Sequence, residues 1–258
     1  MAVIRCGDRV FEQIQAIIFD KDGTLADSRD YLVTQAEKRL TCLDNHLKEI
    51  LSPNAMAQLT DRLFQAWGMS KSQIHPAGLM AVGSRRDNEI ATAGYIAALG
   101  FPWVEALTIV QTAFQEASQL FPRKDLLTPI VPQGRPCLDN LHSHGLHLGL
   151  LSADTTPNVK AFVQTYGLTP YISLAMGAQV GLSKPDPQLL QQACTEIGVP
   201  PSQTLVVGDS AADIELAKRA GAAGAIGVWG AWDQPFTIPN AHVMVESLAE
   251  ITVLSAMG

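Results

Sequence analysis

The spacing of apolar and polar positions changes along the chain. Residues 15–19 form a short apolar run that stops abruptly at a carboxylate, which indicates a buried parallel strand. From about residue 31 to residue 121 the apolar spacing is helical, and it predicts no strand. We expect four helices in this stretch, over residues 31–50, 54–67, 86–99 and 102–120.

Strand and helix patterns alternate after Pro129 and Pro132. The predicted strands are residues 146–151, 171–175, 204–207, 223–228 and 242–245, and the predicted helices are residues 156–166, 186–197, 211–220 and 248–254. Repeated strand–helix units imply a parallel sheet with helices on both faces. The strand at 15–19 has to join that sheet, because a lone strand cannot bury its faces. The chain therefore predicts a core of residues 1–29 and 128–258, with a helical insertion at 30–127.

Composition and charge exclude several classes of protein. The chain has 258 residues, of which 47% are hydrophobic and 17% charged, so it is globular rather than disordered. A net charge of −7 argues against nucleic-acid binding. No apolar run approaches the roughly 20 residues of a membrane span, and residues 1–11 lack the apolar segment of a secretory signal. Four scattered cysteines without a Cys-x-x-Cys pair favour reduced thiols and a cytoplasmic location.

The end of the first strand carries two carboxylates. Asp20 and Asp22 are two residues apart in Asp-Lys-Asp-Gly-Thr, so extended backbone points both to the same side. Carboxylates this close repel unless a cation intervenes. A calcium loop is excluded, because Tyr31 stands where its last glutamate would be. A plain acidic turn stays open as the alternative.

Two later strand ends carry groups that suit a phosphate. Ser152 ends the strand at 146–151, and the N–H groups of Ala153 and Asp154 precede a helix, where anions are favoured. The alternative is that Ser152 or Asp154 only caps that helix. Lys184, stiffened by Pro185, supplies a compact positive charge, although a loop lysine is often simply solvated.

A second acidic pair follows the strand at 204–207. Asp209 and Asp213 are one helical turn apart in Gly-Asp-Ser-Ala-Ala-Asp, and oxygen ligands of this kind suit Mg²⁺. Asp209 or Ser210 could instead cap the next helix. Because ligands bind beyond the carboxyl ends of parallel strands, all of these residues are candidates for one site.

In this combination the sequence resembles the haloacid dehalogenase superfamily over nearly its whole length. Residues 20–24 match the first motif, Ser152 the second, Lys184 the third, and Asp209 with Asp213 the fourth. Segments 22–28 and 183–187 resemble the phosphoglycolate phosphatase and beta-phosphoglucomutase branch. The resemblance implies an α/β fold, a doubly wound parallel sheet with a Rossmann-like core, in which residues 30–127 form an all-helical cap domain.

The resemblance also implies a Mg²⁺-dependent phosphatase that works through a phosphoaspartate on a small phosphorylated metabolite. Asp20 would be the nucleophile and Asp22 the acid and base, with Lys184 assisting. The implied metal ligands are Asp20, Asp22 through its backbone, Asp209 and Asp213, and the implied phosphate-binding residues are Thr24, Ser152, Ala153 and Lys184. Ala153 replaces the Asn that the family often has there, which removes one donor to the phosphate.

The helical insertion is expected to select the substrate. Arg85 and Arg86, in the loop between two predicted helices, suit bidentate contact with a carboxylate or phosphate, although either could be a solvated helix-start residue. His75 and Lys71 are weaker candidates for this substrate contact. His142 and His144 suggest a metal-binding pair, but the sequence offers no third ligand for it. Trp67, Trp103 and Phe114 are predicted to be core residues of the insertion.

Two other functions stay open at this point. A phosphomutase of the same branch needs the same residues, and a phosphate-binding regulator would need no turnover. The intact pair Asp20 and Asp22 favours phosphoryl transfer over both a regulator and halide displacement. A receiver domain does not need an insertion of this size. The sequence leaves the oligomeric state open.

Overall fold

The computed structural model describes residues 1–70, 73–121, 123–179, 181–232 and 234–254. The chain divides into two compact units. We call Met1–Ser28 with Asp125–Gly258 the sheet unit, and Arg29–Lys124 the helical unit. The sequence places these divisions one and three residues later, after residues 29 and 127.

Strands and helices are numbered here in chain order. The strands are β1 (Ala2–Cys6), β2 (Arg9–Ile14), β3 (Ala16–Phe19), β4 (Met69–Ser70), β5 (Gln73–Ile74), β6 (His147–Ser152), β7 (Ile172–Gly177), β8 (Thr204–Gly208), β9 (Gly224–Val228), β10 (Val243–Val245) and β11 (Ile251–Leu254). The α-helices are α1 (Arg29–Leu47), α2 (Pro53–Trp67), α3 (Leu79–Val82), α4 (Arg85–Ala97), α5 (Trp103–Gln119), α6 (Gly134–Ser143), α7 (Thr156–Thr165), α8 (Pro187–Ile197) and α9 (Ala211–Ala220). None of the helices in the described ranges is long and apolar enough to span a membrane.

A six-stranded parallel sheet forms the centre of the sheet unit, in the order β10-β9-β8-β3-β6-β7. Successive residues of β3 enter different apolar clusters, because side chains alternate between the faces of a strand. Ile17 and Phe19 pack with residues of α6 and α7, and Ile18 packs with residues of α8 and α9. Helices therefore cover both faces, and the predicted doubly wound α/β fold is confirmed.

The register of the central strands brings their carboxyl ends together. Phe19, the last residue of β3, pairs with Leu150 of β6 and with Val207 of β8. Ser152 and Asp209 follow these partners within two residues, and Asp20 follows Phe19 directly. The polar residues at three strand ends thus meet at one edge of the sheet.

A second, antiparallel sheet of the order β11-β1-β2 was not expected from the sequence. The prediction of a helix over residues 248–254 is wrong, since a short 3₁₀ turn at Leu248–Glu250 leads into β11, which pairs with β1. Periodicity does not separate helix from strand over so short a run. The β-branched Ile251, Thr252 and Val253 favour a strand once a partner is present.

The helical unit has its own apolar core, in which Trp67 and Phe114 meet edge to face at 6.2 Å. Trp103 was predicted to be core as well, and this is wrong. Trp103 is the first residue of α5 and is 48% exposed. The antiparallel pair β4–β5 also contradicts the expectation of no strand here. Lys71 lies outside the described residues.

Candidate active site

Asp20 continues the central strand β3 by one residue. Its N–H donates to the carbonyl of Val207 at 2.8 Å, which holds its backbone at the edge of the sheet. Its side chain is buried, and Oδ1 lies 2.6 Å from Nζ of Lys184. The same Nζ lies 2.6 Å from Oδ1 of Asp213. Asp20 and Asp213 therefore share the ammonium group of Lys184, although they lie 164 and 29 positions from it in the sequence.

Lys184 is almost fully buried, so its charge depends on these partners. Burial by itself lowers the pKa of a lysine. The carboxylates of Asp20 and Asp213 outweigh this effect, and the pKa of Lys184 is raised well above its usual value. Lys184 is therefore a permanent cation at the strand ends, as the phosphate-binding prediction requires.

The pKa values of the Asp20 and Asp209 carboxyls are both raised. Burial is the largest cause at both, and it raises the pKa of Asp20 to about 7 against the partial compensation by Lys184. The pKa of Asp209 is raised well above its ordinary value by burial and by the charges of Asp20 and Asp213. An additional cation beside these buried acids would favour their ionised forms.

Asp213 takes part in capping the N-terminus of α9. Its Oδ2 accepts hydrogen bonds from the N–H and Oγ of Ser210, while Oγ of Ser210 accepts from the N–H of Asp213. This reciprocal arrangement is a capping box. With Oδ1 directed at Lys184, Asp213 both fixes the helix and anchors the lysine.

Asp209 is held by a residue that the sequence did not point to. Nε1 of Trp232 donates to Oδ2 of Asp209 at 2.9 Å, and both side chains are buried. The turn at Gly23 lies against the same oxygen, so that a Cβ there would come within 2.0 Å of it. No motif signals Trp232, which lies 23 residues after its partner in a loop.

Asp22 contacts two groups on its own loop. Its Oδ1 accepts hydrogen bonds from Nζ of Lys21 at 2.6 Å and from Oγ of Ser28. Nζ of Lys21 is also 3.6 Å from a carboxylate oxygen of Asp154. Lys21 is buried, and it links the loop after β3 to the loop after β6. A lysine between two aspartates was the available signal, but its role was not predicted.

Three predicted phosphate-binding residues differ in their surroundings. Oγ of Ser152 accepts from the N–H of Asp154 at 3.1 Å in a buried turn, and Ala153 beside it is exposed. Oγ1 of Thr24 is buried, and within the described ranges it has no hydrogen-bond partner. An unsatisfied buried hydroxyl is rare, and it suits a group that receives a ligand.

Arg85 and Arg86 both lie in the helical unit and hold the same residue. Nε of Arg85 donates to Glu89 at 2.8 Å, and Nη1 of Arg86 is 3.8 Å from the other carboxylate oxygen. Arg85 also reaches Gln115 and Ser118. Both arginines thus have partners within their own unit.

His142 and His144, the pair considered for metal binding, contact an aromatic ring and a backbone carbonyl. His142 packs edge-on against Tyr171 at 5.8 Å, and Nδ1 of His144 lies 2.8 Å from the carbonyl of Asn140.

The fit of a magnesium ion can be judged from Asp20 and Asp209. Within the described ranges, no group of three or more His, Cys, Asp or Glu side chains is placed to hold a metal by itself. Mg²⁺ keeps several waters and needs only one or two carboxylates from a protein. Among the described residues, none donates a hydrogen bond to Oδ2 of Asp20 or to Oδ1 of Asp209. The donor chemistry of these two carboxylate oxygens suits such an ion.

The chain is similar to known proteins over most of its length. A family model described as haloacid dehalogenase-like hydrolase matches residues 14–221. The phosphoglycolate phosphatase of Synechococcus elongatus is 28% identical over 217 residues, which cover 84% of this chain and 85% of that protein. The phosphoglycolate phosphatase of Shigella sonnei is 27% identical, over 82% of this chain and 80% of that protein.

A solved structure shows the same fold. The crystal structure of a predicted phosphoglycolate phosphatase from Haemophilus somnus superposes with a TM-score of 0.63 and 18% identity, covering 92% of this chain and 96% of that chain.

Proposed function

Because the chain belongs to the haloacid dehalogenase-like hydrolases, we propose that this hydrolase is a phosphatase that cleaves small organic phosphomonoesters through a phosphorylated Asp20. One observation carries the proposal. The buried carboxylate of Asp20 is held by Lys184 through one oxygen, while the described residues offer no donor to the other. A carboxylate fixed in this way is suited to attack an electrophile.

The proposed reaction has two steps. A carboxylate oxygen of Asp20 forms a bond to phosphorus as the bond to the leaving oxygen breaks, and Asp22 gives its proton to that oxygen. Asp22 then takes a proton from water, whose oxygen attacks phosphorus and releases Asp20 and inorganic phosphate. Lys21 and Ser28 hold the Asp22 carboxylate in one place for both transfers.

Three side chains would bind the phosphoryl oxygens. Lys184 supplies the positive charge, since its ammonium already faces Asp20. Oγ1 of Thr24 is a buried group without a described partner, and Ser152 adds a hydroxyl at the next strand end. Donors fixed in advance stabilise the charge that develops on the phosphoryl group.

We further propose that Asp20, Asp209 and the backbone carbonyl of Asp22 hold Mg²⁺. The ion would offset the negative charge of substrate and carboxylates and align the displacement. Asp213 is better placed as a support, because its two oxygens contact Lys184 and Ser210.

The proposed substrates are phosphoglycolate or a sugar phosphate. Support comes from two relatives named phosphoglycolate phosphatase, at 28% and 27% identity. We propose that the helical unit selects among such substrates, with Arg85 and Arg86 as candidate contacts. The four cysteines are buried free thiols, which supports a cytoplasmic site of action.

An assay of phosphate release from a panel of phosphomonoesters, with MgCl₂ or with EDTA, tests the proposal. Asp20→Asn should reduce turnover by at least about 1,000-fold, because it removes the nucleophile. Asp139→Asn, the same change at an exposed aspartate of α6, should leave turnover unchanged. Turnover by Asp20→Asn at the wild-type rate would refute the proposal. Accumulation of an isomeric sugar phosphate instead of phosphate would identify a phosphomutase.

A further inference from the structure

The helical unit contains a buried cation that the proposed reaction does not use. Arg39 lies in the middle of α1 and is 6% exposed. Its guanidinium stacks on the ring of Phe114, with its central carbon 4.3 Å from the ring centroid. Nη1 lies 3.2 Å from the sulfur of Met80 and 3.5 Å from Oδ1 of Asn88. All three neighbours are neutral, and the two polar contacts are long or weak.

No carboxylate within the described ranges forms an ion pair with Arg39. The charge of Glu89, the residue after Asn88, raises the pKa of Arg39, but its carboxylate oxygens contact two other arginines. Arg85 binds one of its oxygens at 2.8 Å, and Arg86 lies 3.8 Å from the other. Arg85 and Arg86 therefore share the carboxylate of Glu89, and Arg39 forms no ion pair with any described residue.

This arrangement is costly for a structural role. A buried charge is tolerated when it is paired and hydrogen-bonded, and an arginine can donate five hydrogen bonds. Burial lowers the pKa of Arg39 to about 10, although Tyr31 and Glu89 act in the opposite direction. The guanidinium thus keeps its charge at neutral pH, and the one carboxylate whose charge acts on it, Glu89, forms its ion pairs with Arg85 and Arg86 instead.

The side chains around Arg39 differ in how easily they move. Nδ2 of Asn88 donates to the carbonyls of Leu79, Gly83 and Ser84, which fixes the loop between α3 and α4 and directs Oδ1 at the arginine. Met80, in contrast, contacts Arg39 through a flexible thioether on the four-residue helix α3. Methionine has three rotatable side-chain bonds and readily changes its packing.

We propose that Arg39 is an oxyanion-binding residue of the helical unit, where a carboxylate or phosphate replaces Met80 at the guanidinium. Planar guanidinium groups bind such oxyanions through two parallel hydrogen bonds. The proposal goes beyond phosphate hydrolysis at Asp20, since it concerns a second anionic group. That group comes either from the substrate, as in phosphoglycolate, or from a free anion such as orthophosphate.

Arg39→Met is the test variant, because methionine keeps the length and apolar contacts of the side chain and removes its charge. Arg62→Met, at an exposed position of α2, is the matched control. Thermal unfolding is measured for wild type and both variants in chloride, glycolate and phosphate of equal ionic strength. Turnover is measured on phosphoglycolate and on p-nitrophenyl phosphate, which has no second anion.

We expect Arg39→Met to raise the unfolding midpoint in chloride, since an uncompensated buried charge is removed. It should also lose stabilisation by glycolate or phosphate that wild type and Arg62→Met retain. If the oxyanion belongs to the substrate, kcat/KM for phosphoglycolate falls about 10- to 100-fold while that for p-nitrophenyl phosphate is kept. If the oxyanion is free, both values are kept, and only the response to added phosphate disappears.

Two results would overturn the inference. One is a lower unfolding midpoint for Arg39→Met that Arg39→Lys restores, which identifies a structural cation. The other is an anion response in Arg39→Met equal to that of wild type. A wild-type protein that hydrolyses no phosphomonoester would refute the proposed function instead, and the unfolding measurements would still decide the role of Arg39.

Discussion

Each unit contains a cation whose side chain is almost completely buried, Lys184 in the sheet unit and Arg39 in the helical unit, and their surroundings are opposite. Lys184 of the sheet unit contacts two carboxylates at 2.6 Å, whereas Arg39 of the helical unit contacts an aromatic ring, a thioether and an amide. The pKa of Lys184 is raised by Asp20 and Asp213 in spite of burial, and burial lowers the pKa of Arg39. Equal burial therefore gives different electrostatics, depending on which anions lie nearby.

This difference separates two kinds of functional group. At the strand ends the anions belong to the protein, so the lysine is held ready next to Asp20. In the helical unit none of the described carboxylates forms an ion pair with Arg39, so this arginine is suited to an anion that arrives. Changes in the sheet unit, set beside Arg39→Met, test the comparison.

The largest effect is expected from Lys184→Met. This change leaves Asp20 and Asp213 buried without their shared cation, and we expect a loss of about 3–5 kcal/mol in the free energy of unfolding. The measurement is urea unfolding of the metal-free protein. Lys160→Met, at an exposed position of α7, should be neutral.

The comparison fails if Lys184→Met and Arg39→Met change stability in the same direction. A stabilising Lys184→Met would show that the contacts at 2.6 Å do not compensate the burial of the lysine.

A smaller effect is expected from Trp232→Phe. The phenyl ring keeps most of the packing around Asp209 but lacks the N–H that fixes Oδ2. Residues that orient a metal ligand typically change metal affinity by about 10-fold or more when replaced, and we expect Mg²⁺ to bind about 10-fold more weakly. Isothermal titration with MgCl₂ measures this, with Trp229→Phe as the control in the same loop.

Two outcomes of the magnesium titration would contradict this expectation. Equal Mg²⁺ affinities in wild type and Trp232→Phe would show that the indole only fills space, and absence of binding to wild type would contradict the proposed metal site itself.

A pH dependence of stability in EDTA is also expected. The pKa of Asp20 is raised from its ordinary value of 3.8 to about 7, mainly by burial. Folding thus favours the protonated form, and the stability it contributes is present at low pH and lost as pH rises from 3.8 to about 7. The amide introduced by Asp20→Asn resembles the protonated carboxyl and does not titrate, so this variant should gain stability relative to wild type over the same range. Thermal unfolding across the range measures the difference, and a constant difference would contradict the raised pKa.

Much of the fold of the sheet unit could be predicted from local sequence patterns. The buried run before Asp20 and the alternation of strands and helices predict a parallel sheet, and the strand-end rule then places Asp20, Lys184 and Asp209 on one edge. The antiparallel sheet was missed because β1 and β11 pair across almost the whole chain. Local periodicity contains no information about a partner so distant.

The same limit applies to the site. Asp213, Ser152 and Lys184 were found because they stand at fixed positions after strands. Trp232 was missed because its contact with Asp209 depends on how a long loop returns to the sheet. Arg39 was missed because nothing in the helical spacing distinguishes an inward arginine from an exposed one.

The central claim is that Asp20 becomes phosphorylated, and chemical trapping tests it most directly. The protein is mixed with substrate and Mg²⁺, quenched rapidly with borohydride, digested and examined by mass spectrometry. Reduction of an acyl phosphate converts aspartate to homoserine. We predict this conversion at position 20 in wild type and in the control Asp139→Asn, and at no position in Asp20→Asn. Full turnover by wild type with position 20 unmodified, or with the modification at another carboxylate, would contradict the account.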